Sequence, residues 1–143
     1  MPNVRAILKG DGDSVVSVGA KATVLEAARL MAEKHVGAVV VTEGGRVTGI
    51  FTERDLLNRV VAQRLLPEAT RVEEVMTAPV ACCSPDTTRA ECIAFMRRRR
   101  IRHLPVVEDG RLAGIVSIRD ILEDVTAEQE ETILHLHEYM HGW

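Results

Sequence analysis

Aromatic side chains are scarce in this chain of 143 residues: Phe51, Phe95, Tyr139 and Trp143 make up 3% of it. A protein that holds single-stranded nucleic acid by stacking bases on aromatic rings needs more, so that class is set aside. Long apolar runs are missing too. No window approaches the eighteen or so consecutive apolar residues that cross a bilayer, and Met1 to Gly10 carries Arg5 and Lys9 without an apolar signal core. A cytoplasmic protein with no membrane segment is the expectation. Cysteine is limited to Cys82, Cys83 and Cys92, an odd number without the two-residue spacing of a zinc knuckle, which argues against a disulfide framework and a structural zinc site. Neither sign of charge dominates, since 18 Lys and Arg against 21 Asp and Glu leave −3. What is present is 46% apolar residues, enough to offset chain entropy by burial, so a compact fold near the size of one ordinary domain is expected.

The chain is internally repetitive. Shifted by 65 residues and without a gap, Val15 to Val60 lies on Val80 to Val125 with 14 of 46 positions identical, among them Thr23 with Thr88, Glu26 with Glu91, Gly49 with Gly114, Arg54 with Arg119 and Asp55 with Asp120. Random pairing would give roughly 3, so a duplication is indicated. Two units of 65 leave 13 residues for a C-terminal tail.

Both units read alike. Val15–Val18 and Val80–Cys83 suit a short strand, and a helix follows with Thr23 or Thr88 and Glu26 or Glu91 spaced as a capping box. β-Branched runs come next, Val36–Thr42 and Ile101–Val107, then glycine-containing hairpins at Glu43–Arg46 and Glu108–Arg111. Third strands, Val47–Thr52 and Leu112–Ser117, lead into second helices near Arg54 and Arg119. The fold class is mixed α/β, of the α+β kind: two β-α-β-β-α repeats packed sheet to sheet around a shared core, because one three-stranded sheet cannot bury its apolar face alone. Short amphipathic segments (Val4, Ile7, Leu8 and Val72, Val75, Met76) precede the repeats as extra helical turns joining the halves. The expected boundaries are residues 8–65 for the first domain, 73–130 for the second and 126–143 for a C-terminal helix.

The strand-to-helix junctions carry the chemistry. Gly49-Ile50-Phe51-Thr52-Glu53-Arg54-Asp55 and Gly114-Ile115-Val116-Ser117-Ile118-Arg119-Asp120 share a glycine, a hydroxyl and an aspartate at fixed spacing. A hydroxyl there sits beside the free N–H groups of a helix start, a place that suits phosphate, and the aspartate one turn on offers two acceptors that match the vicinal hydroxyls of a ribose. Arg54 and Arg119 add positive charge nearby. The plainer alternative is that Thr52 and Ser117 are N-caps and the aspartates favour the positive helix end.

Both repeats, the Val39-Val40-Val41 and His103-Leu104-Pro105-Val106-Val107 strands and the paired glycine-to-aspartate signatures resemble a tandem pair of cystathionine beta-synthase (CBS) domains, a Bateman module, over nearly the whole chain. The resemblance implies a non-catalytic sensor in which an adenosine nucleotide (AMP, ADP, ATP or NAD(H)) or S-adenosylmethionine lies in clefts between the domains. It implies that Asp55 and Asp120 hold ribose hydroxyls while Thr52, Arg54, Ser117 and Arg119 face phosphates. Adenine would lie on backbone of the opposite repeat, near Val16 to Ala20 and Val36, Gly37 and Ala38 for the Asp120 cleft and near Ala81, Cys82 and Cys83 with Ile101, Arg102 and His103 for the Asp55 cleft, with Ile50 and Ile115 beside the two sites. The Arg102-His103 wall and the exchange of Lys21 for Asp86 imply unequal sites, with the Asp55 cleft the narrower and more positive.

AMP and NAD(H) are the favoured ligands on this reading, because a triphosphate would want more cations around the linker than Arg59, Arg64 and Arg71 provide. The run Arg97–Arg100 is read as a solvated helix C-terminus, with Arg102 reaching a ligand phosphate, and a nucleic-acid partner ranks last. His135, His137 and His141 read as a solvated helix face rather than a metal site. The tail, with a cap at Thr126 and a stripe of Ile133, Leu136, His137 and Met140, points to a C2 homodimer. No paired acid and base, activated nucleophile or metal box is present, so no enzyme is expected. The other reading is an adaptor with vestigial clefts for an unidentified target protein.

Overall fold

A computed structural model describes residues 2–8 and 15–128, so the expected tail stripe and its three histidines lie outside the described residues. The element order is α1 (Val4–Ile7), β1 (Ser17–Gly19), α2 (Val24–Lys34), β2 (Ala38–Glu43), β3 (Arg46–Thr52), α3 (Glu53–Asp55), α4 (Val72–Val75), α5 (Arg89–Arg99), β4 (His103–Glu108), β5 (Arg111–Ser117) and α6 (Ile118–Glu128). From α3 the chain runs straight on into π-helical turns over Leu56–Val61, a widening that nothing in the sequence signalled.

The duplication extends to individual hydrogen-bonded pairs. In the β2–β3 hairpin Ala38 faces Thr52 and a bulge falls between Val41 and Thr42; in β4–β5 His103 faces Ser117 and the bulge falls between Val106 and Val107, each shifted by 65. Both turns place their two central residues at positive φ, Gly44 and Gly45 in one and Asp109 and Gly110 in the other. Both long helices start on the expected capping boxes, Thr23 with Glu26 and Thr88 with Glu91. The Thr88 backbone N–H holds the Glu91 carboxyl below its usual range.

The first strand of the second repeat departs from expectation. β1 pairs in parallel with β2, but Val80–Cys83 forms no strand and keeps a single bridge, Cys83 to Val106. Proline supplies the reason. In the first repeat Val40 N–H donates to the Val16 carbonyl and Ala20 N–H to the Thr42 carbonyl. Their equivalents are Pro105 and Pro85, which have no N–H, so two ladder donors are gone and the second sheet has only β4 and β5.

The two sheets meet along β3 and β5, yet the buried side chains form two clusters rather than the expected shared core. The first contains Val24, Ala27 and Met31 of α2 with Val39, Val41, Phe51 and Val60; the second contains Cys92 and Met96 of α5 with Leu104, Val106, Val116 and Ile121. The joining turns are exchanged between them. α1, ahead of the first repeat, buries Val4 and Ile7 in the second cluster, and α4, ahead of the second, buries Val72 and Val75 in the first. Each repeat's core is therefore closed by a segment that precedes the other, which ties the halves together without one continuous core.

The signature glycines follow from this exchange. The segment leaving α4 crosses β3 so closely that a Cβ on Gly49 would meet Met76 Sδ and come within 3.0 Å of the Thr77 carbonyl oxygen. At Gly114 the obstacle is one flexible atom group, the Leu8 side chain. The expected tail cap is corrected too: Thr126 lies inside α6, where its hydroxyl donates to the Leu122 carbonyl at 2.8 Å. Among the described residues no helix is long and apolar enough to cross a membrane. Gly49→Ala should cost about 1–3 kcal/mol of stability by overpacking against backbone, and Gly114→Ala clearly less. Urea unfolding of both variants measures the difference, and equal losses would contradict it.

Candidate functional site

Asp55 is the most buried charged residue described, at 5% exposure. Its position follows from the strand end: Thr52 takes an extended backbone conformation, its hydroxyl accepts from the Asp55 N–H at 3.2 Å, and Asp55 Oδ2 accepts from the Thr52 N–H at 3.0 Å. Thr77, carried in by the segment that crosses Gly49, donates its hydroxyl to Asp55 Oδ1 at 3.0 Å, and Arg59 Nε stands 3.7 Å from that oxygen. Thr77 is itself fixed by a two-way backbone bridge to Ile50. Burying this carboxylate is tolerable because each oxygen has a donor.

Ser117 and Asp120 repeat the arrangement at the start of α6, with the Ser117 N–H donating to Asp120 Oδ2 at 2.8 Å and the Asp120 N–H to Ser117 Oγ at 3.1 Å. The fixed spacing of hydroxyl and aspartate is thus already accounted for by reciprocal helix capping in both copies. A capped carboxylate keeps further lone pairs, so this role and ligand binding are compatible.

A cavity of about 490 Å³ opens over Asp55 between the repeats. It brings together Gly37, Ile50, Thr52, Arg54 and Asp55 with Arg102 and His103 from among the expected site residues. Gly37, expected beside Asp120, faces this cavity instead, because its carbonyl accepts the Glu53 N–H at the α3 start. Other expected residues stand elsewhere. Cys82 lines a separate cavity with Cys83, Cys92, Glu91 and Phe95, whereas its neighbours Val80 and Ala81 line the cavity over Asp55. Lys21 is held by Glu73 at 2.9 Å. Val36 packs on the first core, Ala38 is buried at the start of β2, and Ile115 lies half-buried on β5. Arg119 is exposed and 3.8 Å from Glu123.

Ala81 and Ile101, expected on the wall of the Asp55 cleft, line it as well, and several lining residues carried no motif to announce them: Glu53, Thr77, Pro79, Val80, Arg99 and Arg100. Arg99 and Arg100 correct the reading of the arginine run as purely solvated. α5 ends at the mouth of the cleft, where Arg100 takes a left-handed conformation (φ 55°) and its carbonyl accepts from Arg54 Nη1 at 3.3 Å. The signal available was position, because residues just before β4 are the equivalents of those just before β2.

His103 sits where the two signatures approach each other. Burial pushes its pKa down, Asp120 and Glu53 pull it up, and Arg102 pushes it down again. Burial pushes all three cysteine thiols up, Cys83 to about 12, away from the thiolate form in which a cysteine is nucleophilic. Among the described residues no group of three or more His, Cys, Asp or Glu is placed to hold a metal ion.

Fold and site together define a duplicated two-repeat module with a cationic cleft at the seam. The CBS domain family model matches twice, over residues 11–62 and 72–127. CBS domain-containing protein CBSX3, mitochondrial, of Arabidopsis thaliana is 34% identical over 125 residues, 84% of this chain and 61% of that protein, so the chain spans less than two thirds of this relative. The solved structure of a putative signal-transduction protein with CBS domains from Burkholderia ambifaria is 43% identical with a TM-score of 0.84, covering 89% of this chain and 96% of that one. The hexameric CBS-CP12 protein from bloom-forming cyanobacteria is 31% identical with a TM-score of 0.76, covering 85% of this chain and 70% of that one. The chain belongs to the CBS domain family, as a tandem pair.

His103 makes stability depend on pH. Folding lowers its pKa below the ordinary 6.5, so between those two values the unfolded chain binds more protons. Stability contributed here is present above the unfolded pKa and declines as pH falls below 6.5 toward the folded value. Urea unfolding of the ligand-free protein from neutral to mildly acidic pH should show a smaller decline in His103→Gln than in the unmutated chain; equal slopes would contradict this.

Proposed function

We propose that this CBS pair is a non-catalytic regulatory module that binds an adenosine nucleotide, with AMP, NAD(H), ADP and ATP as the candidates, in the cleft over Asp55. One observation carries the reading: the hydroxyl–acid start of α3 in the first repeat faces Ile101, Arg102 and His103 of the second across a cavity of about 490 Å³. A nucleotide there puts phosphate near Thr52 and Arg54, ribose near Asp55, and adenine on aliphatic and backbone surface rather than on aromatic rings. Because the cleft is built from both repeats, a ligand that fits one relative arrangement better than another shifts the balance between them by that difference in affinity.

A second reading has an observation of its own. Both aspartates are satisfied as helix caps, which is what a structural adaptor with vestigial clefts would retain. Titration calorimetry with AMP, ATP and NADH separates the two. Nucleotide binding that weakens in Asp55→Asn, with the fold retained by circular dichroism, supports the sensor; no binding to the unmutated protein supports the adaptor. We further propose a homodimer built on helices, since Leu57 and its repeat equivalent Leu122 are 60% and 55% exposed, with Val61 beside the first at 59%. Sedimentation should give a dimer at micromolar concentration, and a monomer would contradict it.

A further inference from the structure

All three cysteines of the chain fall in the second repeat, and none has a counterpart in the first: shifted by 65, Cys82, Cys83 and Cys92 become Ser17, Val18 and Ala27. Ala27 belongs to the first buried cluster and Val18 packs against it. The second repeat keeps that contact with both members changed to cysteine, Cys92 fully buried in its cluster and Cys83 packed against the cluster. The two thiols line one cavity of about 330 Å³ together with Leu104 and Phe95. After burial, the strongest influence on either thiol is the other one. A buried cysteine on its own behaves as a small apolar side chain. Two that face each other can also close a bond, which needs only their approach and the loss of two electrons.

The backbone around the pair is unevenly held. α5 starts on the capping box of Thr88 with Glu91, and Cys92 follows directly in its first turn. Cys83 lies on the segment that forms no strand, where its N–H donates to the Pro105 carbonyl at 3.0 Å and its carbonyl accepts from the Val107 N–H at 2.9 Å. Pro85 and Pro105 remove the donors that would have tied this segment further. Cys83 is therefore the partner with fewer ties. The same segment carries Val80 and Ala81, which line the cavity over Asp55.

We infer that Cys83 and Cys92 form a reversible dithiol–disulfide site, and that closing the bond draws the segment toward α5 and shifts the Val80–Ala81 wall of the Asp55 cavity. The oxidant is the disulfide of a small thiol, for which oxidised glutathione serves. The Cys83 thiolate attacks one sulfur of oxidised glutathione, breaking its S–S bond and releasing one glutathione thiolate, which takes up the proton that Cys83 gave away. The Cys92 thiolate then attacks the Cys83 sulfur of the mixed disulfide. That step forms the Cys83–Cys92 bond and releases the second glutathione, protonated in its turn. Two protein thiols are oxidised and one glutathione disulfide is reduced, with two electrons and two protons passing across. Burial keeps both thiols protonated near neutral pH, so the exchange is slow there and quickens as pH rises.

Incubating the full chain with mixtures of oxidised and reduced glutathione at mildly alkaline pH tests this, followed by acid quenching, alkylation of free thiols and peptide mapping by mass spectrometry. The Cys82→Ser variant is run beside the unmutated chain, because Cys82 is exposed, lines the same cavity and competes for the reagent. A peptide linking Cys83 to Cys92 should appear in both proteins, and dithiothreitol should remove it. Cys83→Val and Cys92→Ala, which restore the residues of the first repeat, should each abolish the link, with their folds checked by the unfolding midpoint. In isotopically labelled Cys82→Ser protein, oxidation should shift the amides of Val80 and Ala81 with those of Cys83 and Cys92, while Ser17 to Gly19 stay in place. Absence of the linked peptide, a link made from Cys82 or between two chains in its stead, or a link formed only in urea would overturn the inference. A bond that leaves the Val80 and Ala81 amides unmoved would uphold the dithiol site and overturn its connection to the cleft.

Discussion

The Asp55 carboxylate is the joint on which the arrangement depends. A buried acid must have its oxygens satisfied, and here the partners come from three places: the end of β3 through Thr52, the π-helical turns through Arg59, and the segment between the repeats through Thr77. Meeting that requirement starts a helix, pins the linker across Gly49 and fixes where the second repeat begins. The cleft lies above this joint, so the residues that could hold a ligand are positioned by contacts that also hold the fold together. A site built this way is preorganised, and a ligand need not pay for ordering the linker when it arrives.

Exchange of the joining turns gives the second constraint. With α1 closing the core of the second repeat and α4 that of the first, neither repeat completes its own burial. The halves thus keep separate cores while the exchanged turns tie each to the other.

Most of this was legible in the sequence, because a repeat with a gapless 65-residue shift constrains both halves at once. The hairpins, both capping boxes and the register of β2–β3 and β4–β5 follow from glycine, threonine and glutamate at fixed spacing. The missing first strand of the second repeat was legible as well, but only with the partner strand in view: Pro105 and Pro85 remove donors whose absence matters once Val40 and Ala20 are seen to donate. The fixed Thr52–Asp55 and Ser117–Asp120 spacings suggested ligand chemistry, and their first use proves to be capping, since a cap and a phosphate site are built from the same groups. What pattern could not supply was the side on which an exposed run faces. Arg97–Arg100 reads as solvated by composition, and only the left-handed turn at Arg100 brings its neighbours to the cleft.

Mapping backbone amide shifts of the isotopically labelled protein during titration with ATP tests the central claim most directly, because it reports where a ligand sits as well as whether it binds. The account expects the largest changes at Thr52–Asp55, at Thr77 and across Arg99–His103, residues far apart in sequence that share one cavity. Changes centred instead on Ser117–Asp120 with Lys34–Ala38, on the cysteine-lined cavity of Cys82 and Cys92, or nowhere at all would contradict it.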